Sequence, residues 1–244
     1  MKLGVISDIH GNVAALDAVL ADAAGRKVEK MVNLGDICSG GLFPRETADR
    51  LMPLEFPTIR GNHERQLSTH ALDKMGLSDR HAAMTMLPEQ RGWLAALPAT
   101  LRLFQDVLLV HGTPDCDLTY LLETVDETGI RPATTAEIER RIGDIDASVI
   151  LCGHTHLQRV VRLDGGHLIV NPGSVGLPAY DDDRPYAHVA ESGSPHARYA
   201  ILSDDGHGWT VELIAVEYDW EQAARDAEAN GRADWARALR TGRV

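Results

Sequence analysis

The sequence predicts an α/β fold of the α+β type, arranged as a layered double β-sandwich flanked by helices. In the first 60 residues, short apolar runs alternate with polar loops and amphipathic helical segments, which is typical of strand–helix units. After residue 149 the apolar runs follow one another with only turns between them, which predicts a second, antiparallel sheet. Two sheets packed together with helices outside form a sandwich, and 244 residues are ample for its core.

The first part of the chain predicts three strands separated by helices. A buried strand over 3–7 is followed by a helix over 13–24, whose apolar residues recur at helical spacing on one face. A second strand over 31–34 precedes a helix that runs from Pro44 to residue 51, since proline favours the first turn of a helix. A third strand is predicted over 56–59.

The middle of the chain predicts a helical cap and then a hairpin. Residues 64–100 look mostly helical, with two Leu-Pro breaks, so we expect them to form a cap on one side of the site. Residues 101–110 resume strand character as a hairpin, and residues 115–129 are expected to form a loop with a short helix. A further helix over 134–142 would be capped by one of the two threonines at its start.

Consecutive strands follow in the second half of the chain. The stretch 180–195 is expected to be a solvated loop, and Asp219 to cap a last helix that Gly231 interrupts. The predicted division is a domain over 1–217, with the cap at about 64–100, and a C-terminal helical segment over 218–244 that packs on the domain or on a partner subunit. The strands are predicted over 149–152, 159–163, 167–170, 198–202 and 209–217.

The composition is that of an ordinary globular protein, with 44% hydrophobic and 25% charged residues. The net charge of −12 argues against a general nucleic-acid clamp, which needs clustered Lys and Arg. Three distant cysteines (Cys38, Cys116 and Cys152) offer no disulfide framework, so a reducing compartment is expected. No apolar segment has the length of a membrane span and the N-terminus does not resemble a signal peptide, so the expected location is the cytoplasm.

Five short polar motifs each follow an apolar stretch, and ligands gather at the carboxyl ends of strands in α/β sheets. The motifs are Asp8-Ile9-His10, Gly35-Asp36, Gly61-Asn62-His63-Glu64, His111-Gly112 and Gly153-His154-Thr155-His156. Their carboxylate, amide and imidazole groups suit divalent first-row metals. A two-metal site needs a bridging carboxylate and about three further protein ligands for each ion. The motifs offer seven: Asp8, His10, Asp36, Asn62, His111, His154 and His156.

The order of these motifs resembles the calcineurin-like metallophosphoesterase family, in particular its small bacterial and archaeal phosphoesterase branch. The match runs from residue 8 to residue 156, and the strand-rich tail to about residue 217 also fits. The resemblance implies a metallo-dependent phosphatase fold, and attack on a phosphoester by a hydroxide between two metals. It implies that Asp8, His10, Asp36 and His156 hold one metal, and that Asp36, Asn62, His111 and His154 hold the other.

The resemblance also implies roles for neighbouring residues. Asp36 would be the bridging catalytic carboxylate, and His63 would hydrogen-bond the phosphate or protonate the leaving oxygen. Arg60 is a candidate to bind a phosphate oxygen, with a surface ion pair as its alternative. Glu64 would orient His63, or simply begin a helix. The stretch Asn171-Pro172-Gly173-Ser174 resembles a loop of the small members, and would line the site or form an ordinary turn.

One stretch, from Gly35 to Gly41, departs from the protein serine/threonine phosphatases, which have Gly-Asp-x-x-Asp-Arg-Gly there. The second Asp and the Arg are missing, which disfavours a dedicated protein phosphatase and the symmetrical dinucleoside tetraphosphate hydrolases. The expected activity is hydrolysis of a small phosphomonoester, phosphodiester or nucleotide, with a dinucleoside polyphosphate hydrolase or a protein phosphatase as alternatives. A non-catalytic binding protein is disfavoured because every ligand is present, and a nuclease because the chain is acidic.

The expected cofactors are two divalent metal ions, manganese first, with iron, zinc, cobalt or nickel as alternatives. The expected partner is a small phosphorylated substrate, with nucleotides among the candidates. No membrane partner and no stable nucleic-acid complex are expected, and a homodimer stays open. The other six histidines are expected at the surface or in loops: His70, His81, His167, His188, His196 and His207.

Overall fold

The computed structural model describes all residues from 1 to 244. The strands are β1 (Lys2–Ile6), β2 (Lys30–Asn33), β3 (Leu101–Leu103), β4 (Val107–Leu109), β5 (Glu123–Asp126), β6 (Gly129–Pro132), β7 (Val149–Leu151), β8 (Arg159–Arg162), β9 (Leu168–Asn171), β10 (Ala179–Asp182), β11 (His188–Glu191), β12 (Ala197–Asp204) and β13 (Trp209–Val216). The α-helices are α1 (Val13–Gly25), α2 (Pro44–Leu51), α3 (Asn62–Thr69), α4 (Leu77–Thr85), α5 (Pro88–Ala96), α6 (Thr135–Ile142), α7 (Trp220–Ala229) and α8 (Ala233–Thr241).

Two sheets form the centre of the molecule. The first has the strand order β13-β12-β1-β2, with β1 parallel to β2 and antiparallel to β12. The second has the order β3-β4-β7-β9-β8, with β4, β7 and β9 mutually parallel. The predicted layered sandwich of two sheets with helices outside is therefore confirmed.

The prediction that the second sheet is antiparallel and built from the second half of the chain is wrong. Its three central strands are parallel, and β12 and β13 join the first sheet instead. The sequence contains an indication of the parallel arrangement. The residues of β7 and β9 are apolar or buried, and central strands of parallel sheets are buried on both faces. In such strands polar and apolar residues do not alternate, so no side of the strand is indicated as facing solvent.

The core between the sheets follows the two-residue period of the strands. Leu3 and Val5 of β1 point toward the second sheet and meet a cluster that includes Val107 and Leu151, while Ile6 lies on the other side. Helix α1 covers that outer face of the first sheet, and α6 covers the outer face of the second. The side chains buried between the sheets are Leu3, Val5, Val32, Leu34, Ile59, Val107, Leu109, Val149, Leu151, Leu168, Val170, Ala200 and Leu202.

Three local predictions need correction. The strand predicted over 56–59 is reduced to a single bridge between Asn33 and Thr58, because Pro57 has no N–H to donate. The region 115–129, expected to hold a short helix, instead contributes to the hairpin of β5 and β6. The loop expected over 180–195 contains most of a second hairpin, β10 and β11.

The helix starts and ends are where the sequence places them to within a residue or two. Helix α2 begins at Pro44, and Thr134 caps α6 through a reciprocal contact with Glu137. Asp219 accepts a hydrogen bond from the Gln222 N–H and caps α7. Helices α7 and α8 pack on the same chain, where Trp235 is buried in a cluster with residues of other segments. None of the helices is long and apolar enough to cross a membrane.

Candidate metal centre

The predicted ligands converge at one edge of the sandwich. Asp8 follows β1, Asp36 follows β2, His111 follows β4 and His154 follows β7, and these strands run parallel in pairs within their two sheets. The carboxyl ends of parallel strands lie at the same sheet edge, which is why motifs far apart in sequence meet there. Asn62 reaches the same place from the first residue of α3.

The first ligand group consists of Asp8, His10 and His156, all buried. The Nε2 atoms of the two histidines lie 3.0 Å apart, and His156 Nε2 lies 3.4 Å from Asp8 Oδ1. Each Nδ1 contacts a backbone carbonyl, at 2.7 Å from Ser39 O for His10 and 2.7 Å from Leu177 O for His156.

These contacts fit a bound cation. A carbonyl oxygen can only accept, so each Nδ1 carries the proton and each Nε2 presents a lone pair to the other. Asp8 Oδ1 is buried beside them and has no hydrogen-bond partner. Burial and the neighbouring His156 lower the pKa of His10 to about 4, which keeps its imidazole neutral at pH 7. Three electron-pair donors without a proton between them are what a divalent metal satisfies.

The second group consists of Asp36, His111 and His154, joined by Asn62. His111 Nε2 lies 3.1 Å from Asp36 Oδ2 and 3.1 Å from Asn62 Oδ1, while its Nδ1 contacts Leu34 O at 2.8 Å. Burial opposes a charge on His111, but the Asp36 carboxylate outweighs burial and raises the pKa of His111 to about 10. The oxygen and nitrogen atoms of the second group therefore also stabilise a positive charge placed among them.

The backbone is strained at most of the ligands. Five non-glycine residues adopt the left-handed conformation there, with φ between 52° and 71°. This conformation is uncommon for residues with a Cβ, and it persists only where surrounding contacts impose it. The N–H of residue 8 donates to Gly35 O and that of residue 10 to Asp36 O, each at 3.0 Å, so the loops fix one another. The five strained residues are Asp8, His10, Asp36, His154 and His156.

Glu64 holds the Asp36 loop rather than His63. Its buried carboxylate accepts hydrogen bonds from the backbone N–H groups of Asp36 at 2.8 Å, Ile37 at 2.9 Å and Gly61 at 2.8 Å. The prediction that Glu64 orients His63 is therefore wrong. Gly61 is required at the same place, because a Cβ there would lie 2.2 Å from Asp36 Oδ1.

His63 lies beside both ligand groups. Its backbone N–H donates to Asp36 Oδ1 at 3.0 Å, and its ring meets that of His10 edge-on, with 5.5 Å between centroids. The carboxylate that contacts its ring belongs to Asp79 of α4, with 2.6 Å between Nδ1 and Oδ1. Burial lowers the pKa of His63, but Asp36 and Asp79 together raise it to about 9, so the ring is protonated at pH 7.

The structure does not bring Arg60 to the site. Its side chain does not line the cleft described below and makes no hydrogen bond or ion pair, and its backbone N–H donates to Pro98 O. The predicted phosphate contact of Arg60 therefore has no support in the geometry. The 171–174 loop, by contrast, holds the ligand loops: Asn171 donates to Gly153 O at 2.9 Å, and Ser174 donates to Asp8 O at 2.7 Å.

A cleft of about 1340 Å³ opens over both ligand groups. Its walls include Tyr120 and Tyr180, whose rings lie 4.8 Å from the His154 ring and 4.7 Å from the His156 ring. The Tyr120 hydroxyl lies 2.7 Å from that of Tyr180 and 3.0 Å from His188 Nε2. His188 is buried in this cluster, so its predicted surface location is wrong.

Helix α8 forms another wall of the cleft. Trp235 lies edge-on to the His10 ring, at 5.9 Å between centroids, and Arg237 of the same helix and Arg232, directly before it, also line the cleft. Sequence reasoning missed Asp79, both tyrosines and the arginines as site residues. No motif marks them, because they come from a cap helix, two hairpin regions and the C-terminal helix rather than from strand ends.

Comparison with known proteins gives a family match over most of the chain. The sequence profile of the calcineurin-like phosphoesterase superfamily domain matches residues 1–193. An uncharacterized protein of Methanocaldococcus jannaschii is 28% identical over 253 aligned positions, which cover 96% of this chain and 94% of that protein.

Solved structures share the fold. A metallophosphoesterase of Sphaerobacter thermophilus superposes with a TM-score of 0.77 at 24% identity, covering 99% of this chain and 100% of that one. A candidate diadenosine tetraphosphatase superposes with a TM-score of 0.54 at 17% identity, covering 88% of this chain and 94% of that one.

Proposed function

The chain belongs to the calcineurin-like phosphoesterase superfamily, and on that premise we propose that it hydrolyses small phosphomonoesters, phosphodiesters or nucleotides with two divalent metal ions. The observation that carries the proposal is the pair of buried ligand groups at one sheet edge: in the first, lone pairs face one another with no donor between them, and in the second, buried oxygens surround His111 and stabilise a positive charge. Such sites are costly unless a cation compensates them.

We propose that the two groups hold one metal each. Asp8, His10 and His156 would bind the first, and Asn62, His111 and His154 the second, with Asp36 shared between them. Such a pair of ions, when bound, supplies a water of lowered pKa and offsets the charge of the phosphoryl oxygens. Manganese is the first metal we propose, since the carboxylate and amide oxygens suit it, and iron, zinc, cobalt and nickel are the alternatives that the imidazole nitrogens also suit.

In this proposal, other residues of the chain donate a proton and hold the ligands in place. His63, protonated and facing the cleft, donates a proton to the oxygen that leaves phosphorus. Glu64 keeps the Asp36 loop in place through three backbone N–H groups. Carbonyls of Ser39, Leu34 and Leu177 contact Nδ1 of His10, His111 and His156, three of the four ligand histidines, and so turn Nε2 of each ring toward the site.

The cleft favours a substrate larger than a bare phosphate ester. Its volume of about 1340 Å³ exceeds the usual range for a drug-sized ligand, and its walls combine aromatic rings with Arg232 and Arg237. This combination suits a nucleotide, whose base can stack on the rings and whose further phosphates can pair with Arg237, since Arg232 already donates to Asp234 and Ser78. A dinucleoside polyphosphate is the second candidate substrate, favoured by the same volume and by Arg237.

A hydrolysis panel on metal-stripped protein, with Mn²⁺ added back, tests the proposal. The panel compares a phosphomonoester, a phosphodiester, a 2′,3′-cyclic nucleotide and a dinucleoside tetraphosphate, with metal content measured in each sample. We expect turnover only after Mn²⁺ is restored, and the preferred compound identifies the substrate class. Two bound metals without turnover of any compound would contradict the proposal.

A further inference from the structure

Asp79 of the cap contacts His63, and no sequence motif predicts this contact. Its side chain is 6% exposed, and its Oδ1 lies 2.6 Å from His63 Nδ1. The same oxygen accepts a hydrogen bond from Ser39 Oγ at 2.7 Å. An ionised carboxylate only accepts, so His63 Nδ1 is the donor, and Nε2 is the ring nitrogen left for the cleft.

We propose that Asp79 is the positioning residue for His63, accepting its Nδ1–H and fixing the plane of its ring so that Nε2–H points at the leaving oxygen. The inference rests on the proposed hydrolysis and deepens it. In the step, a water oxygen forms the new bond to phosphorus and the bond to the leaving oxygen breaks with its electron pair. That oxygen takes the Nε2 proton, and the proton released by the water restores His63. The Nδ1–H···Asp79 hydrogen bond persists throughout.

The surroundings hold Asp79 from two sides. Ser39 not only donates to Asp79 but also accepts, through its backbone oxygen, from Nδ1 of the ligand His10. Beside Asp79 on α4, the hydroxyl of Ser78 accepts a hydrogen bond at 2.9 Å from Nη1 of Arg232, the residue directly before α8. The cap and the C-terminal helix together therefore bring a buried carboxylate to the proton donor, and a short chain of contacts links that carboxylate to the first ligand group.

The alternative is that Asp79 has only a structural role and holds the cap against the sandwich. The two roles differ in how they depend on the leaving group. A residue that aligns a proton donor matters most when the leaving oxygen is basic, because such an oxygen needs the proton in the transition state. A residue with only a structural role would lower kcat by the same factor for all substrates.

The first experiment compares phenyl phosphate with p-nitrophenyl phosphate, and diphenyl phosphate with bis(p-nitrophenyl) phosphate, on Mn²⁺-loaded protein. We expect Asp79→Ala to lower kcat about 100-fold on the phenyl ester and about tenfold or less on the nitrophenyl ester, with KM and metal content unchanged. Asp79→Asn, which keeps an acceptor oxygen and the side-chain shape, should fall between Asp79→Ala and the wild type.

Two further comparisons complete this experiment. Asp73→Asn removes an exposed carboxylate from the same cap and should leave both rates unchanged. In a His63→Ala background, Asp79→Ala should cause no further loss, because the two residues act as a unit. Equal losses on both esters, or a loss that adds to that of His63→Ala, would overturn the positioning role.

The second experiment reads the contact without turnover. On Zn²⁺-loaded protein, proton NMR should show a strongly downfield ring N–H resonance that disappears in His63→Ala. Asp79→Ala should remove or shift it upfield, while Asp73→Asn leaves it in place. If the resonance is unchanged in Asp79→Ala, the inference is wrong. If wild-type protein hydrolyses none of the four esters, the proposed hydrolysis fails for them, and the NMR result still decides the role of Asp79.

Discussion

The sheet edge and the helical segments around it contribute to the site in different ways. The sheet edge supplies the ligand groups through short loops whose hydrogen bonds lock strained residues in place, as at Asp8 and Asp36. The helical segments beyond α3 (α4–α5 of the cap, and the C-terminal segment with α7 and α8) supply Asp79, Arg232 and Trp235. The difference teaches that sheet geometry can bring the proposed metal ligands together, while helices from other parts of the chain supply the groups around them.

Replacing a ligand at the sheet edge should have the largest effect. We expect Asp36→Ala or His154→Ala to lower kcat about 1000-fold or more, because each removes a donor from a group that has no spare one. Kinetics with metal analysis checks this, and circular dichroism should show the fold intact. His207→Ala, at an exposed turn, is the matched control. Full activity in either ligand variant would contradict the assignment of these residues as metal ligands.

Replacing His63, where the two regions meet, should separate chemistry from metal binding. We expect His63→Ala to lower kcat about 100-fold while both metals stay bound, because its ring is a proton donor rather than a ligand in our proposal. Elemental analysis of the purified protein is the decisive measurement. If the variant loses one equivalent of metal, His63 is a ligand and its proposed role is wrong.

Truncating Trp235 tests the helical side of the comparison. The indole is 6% exposed, so Trp235→Ala should cost about 3 kcal/mol of unfolding free energy and lower Tm by about 6–12 °C. Below Tm, metal content should be unchanged, because no ligand comes from α8. Thermal unfolding compared with Trp220→Ala, a half-buried tryptophan outside the cleft, checks this. A loss of metal in Trp235→Ala would contradict the separation of the two regions.

The smallest effect is expected far from both regions, at the start of α6. Thr134→Ala removes the side-chain cap from the Glu137 N–H, which should cost about 1 kcal/mol of stability and leave kcat unchanged. Urea unfolding and steady-state kinetics measure the two quantities. A change in kcat would show that the outer helix of the second sheet is coupled to the site.

The sequence allowed the two-sheet architecture and the meeting of the ligand motifs to be predicted, because strand-end position follows from short-range patterns. His10 and His154 are separated by more than half the chain, yet each directly follows an apolar run that ends at the same edge. The helix boundaries at Pro44 and Thr134 were also readable, since proline and a capping threonine act within one turn.

What the sequence did not show depends on contacts between distant segments. Nothing near Asp79 marks it as the partner of His63, because the contact exists only once α4 has packed on the sandwich. Likewise, the membership of β12 in the first sheet is decided by pairing with β1, almost 200 residues earlier. The hairpins at 123–132 and 179–191 were missed because their strands contain few buried apolar residues, unlike the equally short β2 and β9.

The position of β12 limits how the protein can be shortened. The matched family region stops at residue 193, before β12 and β13, yet β12 lies between β13 and β1 in the first sheet. A fragment cut at 193 would turn β1 into an edge strand with unpaired backbone groups and expose Leu3 and Val5 from the core. Such a fragment should aggregate, so any shortened form made for expression or engineering has to keep the strands that lie beyond the family boundary.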